Sequence, residues 1–491
     1  MTSPDHSDRT EQMEIDTSAK WPVLFFFGSA LLWLLLGGAL QLIAALKLHL
    51  PGFLSTCEWS TYGRVAPAAQ NALVYGWGMN AAFGFGLWLM ARLSATTLRH
   101  GGWLFVALKF WNIGVTLGVL GILGGYSTSF ELLEMPRFVT LILLASYALI
   151  GAWSVTTFSI RNTENVFASQ WYLFGAAFWF PWLYALAQVM LLKAPVRGAL
   201  QPVVNAWYVH GLYGLWFMPV ALAAAYYFLP KILGKPIVNY YLAPLAFWWL
   251  VVTTAFAGGS RLIGAPVPVW IPTLGAVGNY MLVVPIVIIA LNLFGTVSGR
   301  YRALGGSLTL RFILVSMVGF VLASVLNLAL SMRGFVQIVQ FTLFTELRDW
   351  LIFYACFSTA MFGAAYFILP RLTEREWRSP LLVKAHIGAT VLGGLLLTAG
   401  LAYAGWHQGH LLNNSAVEFV DVTKAMLPWF AFRTAGLVLL FTGHVAFFIN
   451  FVFLACPINS KNTAVAVFRD PPNMSLGPQP PVGHSLKGVG P

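Results

Sequence analysis

The chain has 491 residues, of which 58% are hydrophobic and only 9% charged, and its formal net charge is +12. Soluble domains carry roughly 25% charged residues, so a chain of this size and composition cannot present a solvated surface all round; most of it must face lipid or bury itself. The positive balance does not point to nucleic acid, because no dense Lys/Arg run accompanies it and basic loops are what membrane topology requires.

In chain order, Met1 to Lys20 is polar and charged, with no positive stretch before a short apolar core. It reads as a cytoplasmic tail (1–20) rather than a cleaved signal. A membrane domain over 21–457 then holds about twelve apolar runs of the length a bilayer-crossing helix needs. They are Pro22–Leu48, Ala68–Leu93, Trp103–Leu123, Phe138–Phe158, Trp171–Leu192, Val204–Leu229, Leu242–Ala257, Thr273–Thr296, Leu308–Leu330, Leu351–Leu369, Ile387–Ala404 and Trp429–Cys456. Lipid offers no partner to unpaired backbone groups and no alternating barrel pattern is visible, so the predicted fold is an all-α polytopic bundle. Basic residues collect after even-numbered segments: Arg92 and Arg99, Lys231 and Lys235, Arg300 and Arg302, Arg371 and Arg375. That asymmetry places both termini in the cytoplasm. The Pro/Gly-rich tail over 458–491 is expected to be disordered. Cys57, Cys356 and Cys456 lack metal spacing and read as small packing residues.

One region says more. Trp207-Tyr208-Val209-His210-Gly211 lies in a long apolar segment; Ala257-Gly258-Gly259-Ser260-Arg261-Leu262 and then Val267-Pro268-Val269-Trp270-Ile271-Pro272-Thr273-Leu274-Gly275 follow. These runs resemble the copper-site region of the cbb3-type cytochrome c oxidase subunit I in the haem-copper oxidase superfamily. Further pieces agree in order along the chain: Thr61-Tyr62-Gly63-Arg64 before the second helix, Tyr226-Tyr227-Phe228-Leu229-Pro230-Lys231, Tyr366-Phe367-Ile368-Leu369-Pro370-Arg371-Leu372, and Arg433 before Gly436. Single pieces are weak; the ordered set is specific.

The resemblance implies six histidine ligands, since neutral imidazole suits both haem iron and copper. Haem b and copper would be the family's cofactors. Here the second-helix haem position falls on Ala69, the tenth-helix pair on Arg348 and Trp350, and the copper pair on Ser260 and Arg261. The redox-active tyrosine position falls on Thr254. Only His210 remains, as a remnant copper-ligand position. Alanine and tryptophan offer no lone pair to a metal and arginine stays protonated. With five of six ligands absent, neither haem nor copper is expected to bind in the family's manner, and catalysis by its mechanism is not expected.

Arg261 and Arg348 would face one centre in the family, and buried guanidinium groups need counter-charges. Glu346 and Asp349 are the nearest carboxylates in sequence. The expectation is an ion cluster of Arg261, Arg348, Asp349 and Glu346 closing the vacated cavity with Trp350; the alternative has both arginines at the outer interface, snorkelling. His210 alone reads first as a hydrogen-bonded bundle histidine. His444 is intramembrane and would make a new haem site only if it faced His210. His386 resembles a family position without a metal role, and His407 and His410 are expected in an outer loop.

Three functions compete. The first is a non-catalytic scaffold or accessory subunit, a pseudo-enzyme of a respiratory electron-transfer complex in a bacterial inner membrane, docking a c-type cytochrome subunit as its relatives do. The second is an active terminal oxidase or nitric oxide reductase subunit, which similarity alone would assign but which the site does not support. The third is a proton or small-molecule transporter, without the discontinuous helices typical of that class.

Overall fold

The computed structural model describes residues 4–99, 101–163 and 166–456, with side chains from residue 11 onward. Twelve long helices form one bundle: α1 (Pro4–His49), α2 (62–93), α3 (Gly101–Leu123), α4 (Val139–Ser159), α5 (Ala168–Lys193), α6 (Leu200–Leu233), α7 (Leu242–Leu262), α8 (Trp270–Val297), α9 (Leu308–Ala329), α10 (Leu343–Thr373), α11 (Pro380–Leu412) and α12 (Phe419–Ala455). No strand occurs among the described residues. Eleven of these helices are long and apolar enough to cross a membrane.

α2 is the exception, and burial explains it. Every residue from Met79 to Ala91 is buried, so this helix meets protein rather than lipid and tolerates Gln70, Asn71 and Asn80 along its length. A membrane interior is packed by van der Waals contact and interhelical hydrogen bonds rather than by water exclusion, which favours small and polar residues at helix contacts. Asn80 and Asn112 accordingly bond each other across α2 and α3, at 3.1 and 3.3 Å. α6 and α10 join α2 at the centre: 89% and 83% of their apolar windows are buried, against 33–50% for the other spans.

All three central helices contain a widened π-helical stretch, at Ala72–Gly78, Leu212–Phe217 and Leu351–Ser358. Such turns shift the register of one helix face and often mark functional sites. Around them the outer helices pair as neighbours, α11 with α12, α3 with α4, and α1 with both α2 and α12.

The chain start is helical over most of the segment expected to be a cytoplasmic tail. α1 already runs from Pro4, and from residue 11 its side chains pack against α2. Asp16 accepts from Trp88 Nε1 at 3.0 Å and pairs with Arg92 at 3.2 Å, while Arg92 also donates to Gln12 Oε1 at 2.7 Å. These buried polar contacts extend the helix past its apolar stretch. The Pro/Gly-rich tail assigned to 458–491 lies outside the described residues.

Candidate functional site

The site is built where α7 ends and α10 begins. α7 closes in a tight 3₁₀ turn over Gly258–Leu262, and two glycines let it approach its neighbours. A Cβ on Gly258 would lie 2.7 Å from Trp207 Cα in α6, and one on Gly275 would lie 2.1 Å from the Ser260 nitrogen. The motif glycines therefore set the spacing that brings the 258–262 turn against the His210 segment and the start of α8.

Arg261 leaves this turn towards α10. Its guanidinium grips Asp349 with both Nη atoms, Nη1 to Oδ2 at 3.1 Å and Nη2 to Oδ1. Arg348 Nε donates to the same Oδ1 at 3.3 Å. The three side chains are 9, 18 and 8% exposed in the order Arg261, Asp349, Arg348. A two-point Arg–carboxylate contact is the geometry that best repays desolvation of both charges. Arg261 also lies over the Tyr213 ring, 5.9 Å from its centroid, and Gln340 Nε2 donates to its carbonyl at 3.1 Å. Both guanidinium groups are buried against Asp349 rather than extended from the protein surface.

Glu346 does not join this cluster. Its carboxylate pairs with Arg433 of α12 at 2.9 Å. Glu346 sits about one helical turn before Asp349, nearer the loop end of α10, where α12 supplies a cation and α7 does not.

The other ligand positions are absorbed into packing. Ser260 Oγ donates to the Ala257 carbonyl at 2.8 Å and accepts from Asn279 Nδ2 at 2.8 Å. Asn279 in turn bonds Ser331 and Asn327, each at 2.8 Å. Thr254 presses its methyl group on Gly214. Trp350 stacks on Tyr354, with centroids 4.4 Å apart and planes 9° off parallel. Ala69 presents only its methyl group, to a cavity. His210 is buried, and its Nε2 has no hydrogen-bond partner among the described residues.

Between α6 and α10, Phe217 packs against Phe353 (5.0 Å) and Phe357 (4.7 Å), with Tyr213 beside them. These rings press on α2 so closely that a Cβ on Gly78 would lie 2.8 Å from Phe217. Haem and copper do not fit this donor set. Iron and copper need lone-pair donors; of the six positions the resemblance assigns, five offer a methyl, an indole, a hydroxyl already bonded and two guanidinium groups, and His210 alone offers an imidazole. Among the described residues no group of three or more His, Cys, Asp or Glu is placed to hold a metal ion.

The remaining histidines fall differently from the sequence reading. His444 bonds Tyr354 OH through Nε2 at 2.7 Å, and its ring neighbour is His386, with centroids 6.3 Å apart. His386 stacks on Phe447 and bonds Tyr366 OH through Nδ1 at 3.0 Å. His407 and His410 lie within α11, not in a loop. No sequence signal pairs His386 with His444, because they come from different helices and have no shared spacing.

A cavity of about 440 Å³ opens between α1, α2, α6, α10, α11 and α12, with Ala69 and Trp350 on its wall. A smaller void of about 60 Å³ lies behind Trp350 and reaches His444. The 124–138 loop contributes Glu131 and Glu134 to the larger cavity. Asn205 of α6 fixes that loop by bonding both the amide nitrogen and the carbonyl of Glu131. Asn71 Nδ2 donates to Glu134 Oε2 at 2.7 Å. Burial pushes Glu134 up to about 7 against the opposing pull of that hydrogen bond, so this carboxyl titrates near neutrality.

The fold and the ordered motifs define a class, and comparison with known proteins agrees. The family model described as cytochrome c and quinol oxidase polypeptide I matches residues 22–439, and the chain belongs to this haem-copper oxidase subunit I family. It is 24% identical over 441 residues to the cbb3-type cytochrome c oxidase subunit CcoN1 of Stutzerimonas stutzeri, covering 85% of this chain and 91% of that one. It is 25% identical over 476 residues to cytochrome c oxidase subunit 1 of Rhodobacter capsulatus, covering 89% and 85%. Among solved structures, a heme-copper terminal oxidase dimer studied by cryo-EM superposes with a TM-score of 0.72 at 14% identity, over 91% of this chain and 86% of that one. That likeness is one of fold.

Proposed function

We propose that this chain is a non-catalytic member of its family, a membrane scaffold or accessory subunit of a respiratory electron-transfer complex. The observation that carries the reading is the buried Arg261–Asp349–Arg348 cluster, whose two arginines stand where the resemblance puts metal ligands. Two guanidinium groups sharing one carboxylate add positive charge where a copper ion or a haem iron would add more, so cluster and metal exclude each other electrostatically. What the scaffold keeps is the bundle itself, and its partner on this reading is a c-type cytochrome subunit. The chain is assigned to a bacterial inner membrane with both termini cytoplasmic, on the basic loops that follow its even-numbered helices.

The test is isolation from native membranes in mild detergent through a tag on the chain, followed by haem staining of the co-purified proteins. A c-type cytochrome retained at about one per chain, with no oxygen consumption by the isolated pair, is the expected result. A chain that purifies alone, or one that consumes oxygen, contradicts the reading.

A further inference from the structure

The 440 Å³ cavity lies within the range of small-molecule sites, roughly 300–1,000 Å³, and its wall is divided by chemistry. Ala45, Leu73, Leu401 and Leu437 make one part apolar, while carboxylates crowd the other.

Four carboxylates line it and one cation, Arg433. Glu346 is satisfied by Arg433 at 2.9 Å, and Asp349 is held from behind by Arg261 and Arg348. Glu131 and Glu134 are left, and neither has a basic side chain within ion-pair distance among the described residues. Arg261 acts on Glu131 only as a more distant charge. Glu134 is the sharper case: it is 8% exposed, and its one side-chain bond comes from a neutral amide. The titratable groups around it are Tyr62 and Tyr75 of α2, Glu131 of its own loop, Tyr208 and Tyr213 of α6, Glu346 and Asp349 of α10, and Arg433 of α12. The one basic side chain on the wall, Arg433, is paired with Glu346.

We propose that this cavity binds a lipophilic monocation, a protonated amine on an apolar body, with Glu134 as its principal counter-charge and Glu131 beside it. The apolar wall takes the body, and Tyr62 and Trp350 offer aromatic faces to the ammonium head. The inference rests on the haem-free reading, because a haem beside Ala69 and Trp350 would occupy the same space. Since Glu134 is protonated below about 7, an arriving ammonium displaces its proton. Binding therefore tightens as pH rises through 7 and releases up to about one proton per site at pH 6, with less released at pH 8.

The test uses the full chain in lipid nanodiscs, titrated calorimetrically with octylamine, octanol and octanoate, with empty nanodiscs subtracted. A haem spectrum of the same sample is recorded first. Octylamine is expected to saturate at one per chain, octanol and octanoate are not, and buffers of different ionisation enthalpy should report the proton released. Glu134→Gln should weaken octylamine by about 30-fold or more, and Ala69→Leu, which fills the cavity without touching charge, should weaken it as well. A haem-free sample with no saturable octylamine binding, or with equal binding of octanol, overturns this inference and leaves the scaffold reading intact. Stoichiometric haem overturns both.

Discussion

Asp349 stands between two buried guanidinium groups, and its removal tests what the cluster does for the fold. Asp349→Ala leaves two uncompensated charges and should cost about 3–5 kcal/mol, read as a lowered unfolding midpoint in detergent. Replacing the three together by Met, Leu and Met (Arg261, Asp349, Arg348) removes the charges along with their partner and should cost far less. A triple variant as unstable as the single one would contradict a purely electrostatic origin. Glu134 has its own signature. Its folded pKa of about 7 lies above the ordinary 4.5, so between those values the folded chain holds a proton that the unfolded chain has lost. Stability should fall as pH rises from 4.5 to 7, by about 3 kcal/mol in all, and level off above. In Glu134→Gln that slope should vanish. The Arg261–Asp349–Arg348 contacts were legible in the sequence because a buried arginine demands an acid and one was close by. The Glu346–Arg433 pair was not, since which face of α10 meets α12 is decided by packing. Glu134 gave no signal at all: it is one acid in a short loop, and only the fold makes it buried.

At the level of elements, hydropathy located the helices but not their ends or their irregularities. α1 begins well before its apolar stretch, and α11 runs through Gly409, past the point where polarity implied a loop. The π-helical stretches of the three central helices lie at close contacts across the bundle, such as Trp33 against Gly76, which no local pattern encodes. The glycines of the 258–275 region were legible as a motif, and their reason is now geometric. Gly275→Ala should push the α7 end away from α8 and cost about 1–3 kcal/mol in unfolding experiments. Gly388→Ala, with nothing within 4 Å of the new methyl group, should be neutral or slightly stabilising, because alanine favours a helix interior. Equal effects at the two sites would mean that close approach at Gly275 is unimportant.

For the molecule as a whole, the bundle positions a buried ion cluster, a set of packed aromatic rings and a carboxylate-lined cavity. On the proposed reading fold and site have separated, as the general independence of scaffold and chemistry allows. The family was readable from ordered motifs because helix exits and close-packed glycines are needed by the bundle whatever it holds. The cavity was not readable, since it is formed by six helices and a loop with no common spacing. The most direct test of the central claim is a reduced-minus-oxidised spectrum of the purified chain, with metal analysis of the same sample. No b-type haem signal and no copper above background are predicted. One haem or more per chain, or copper at stoichiometric level, would contradict the account.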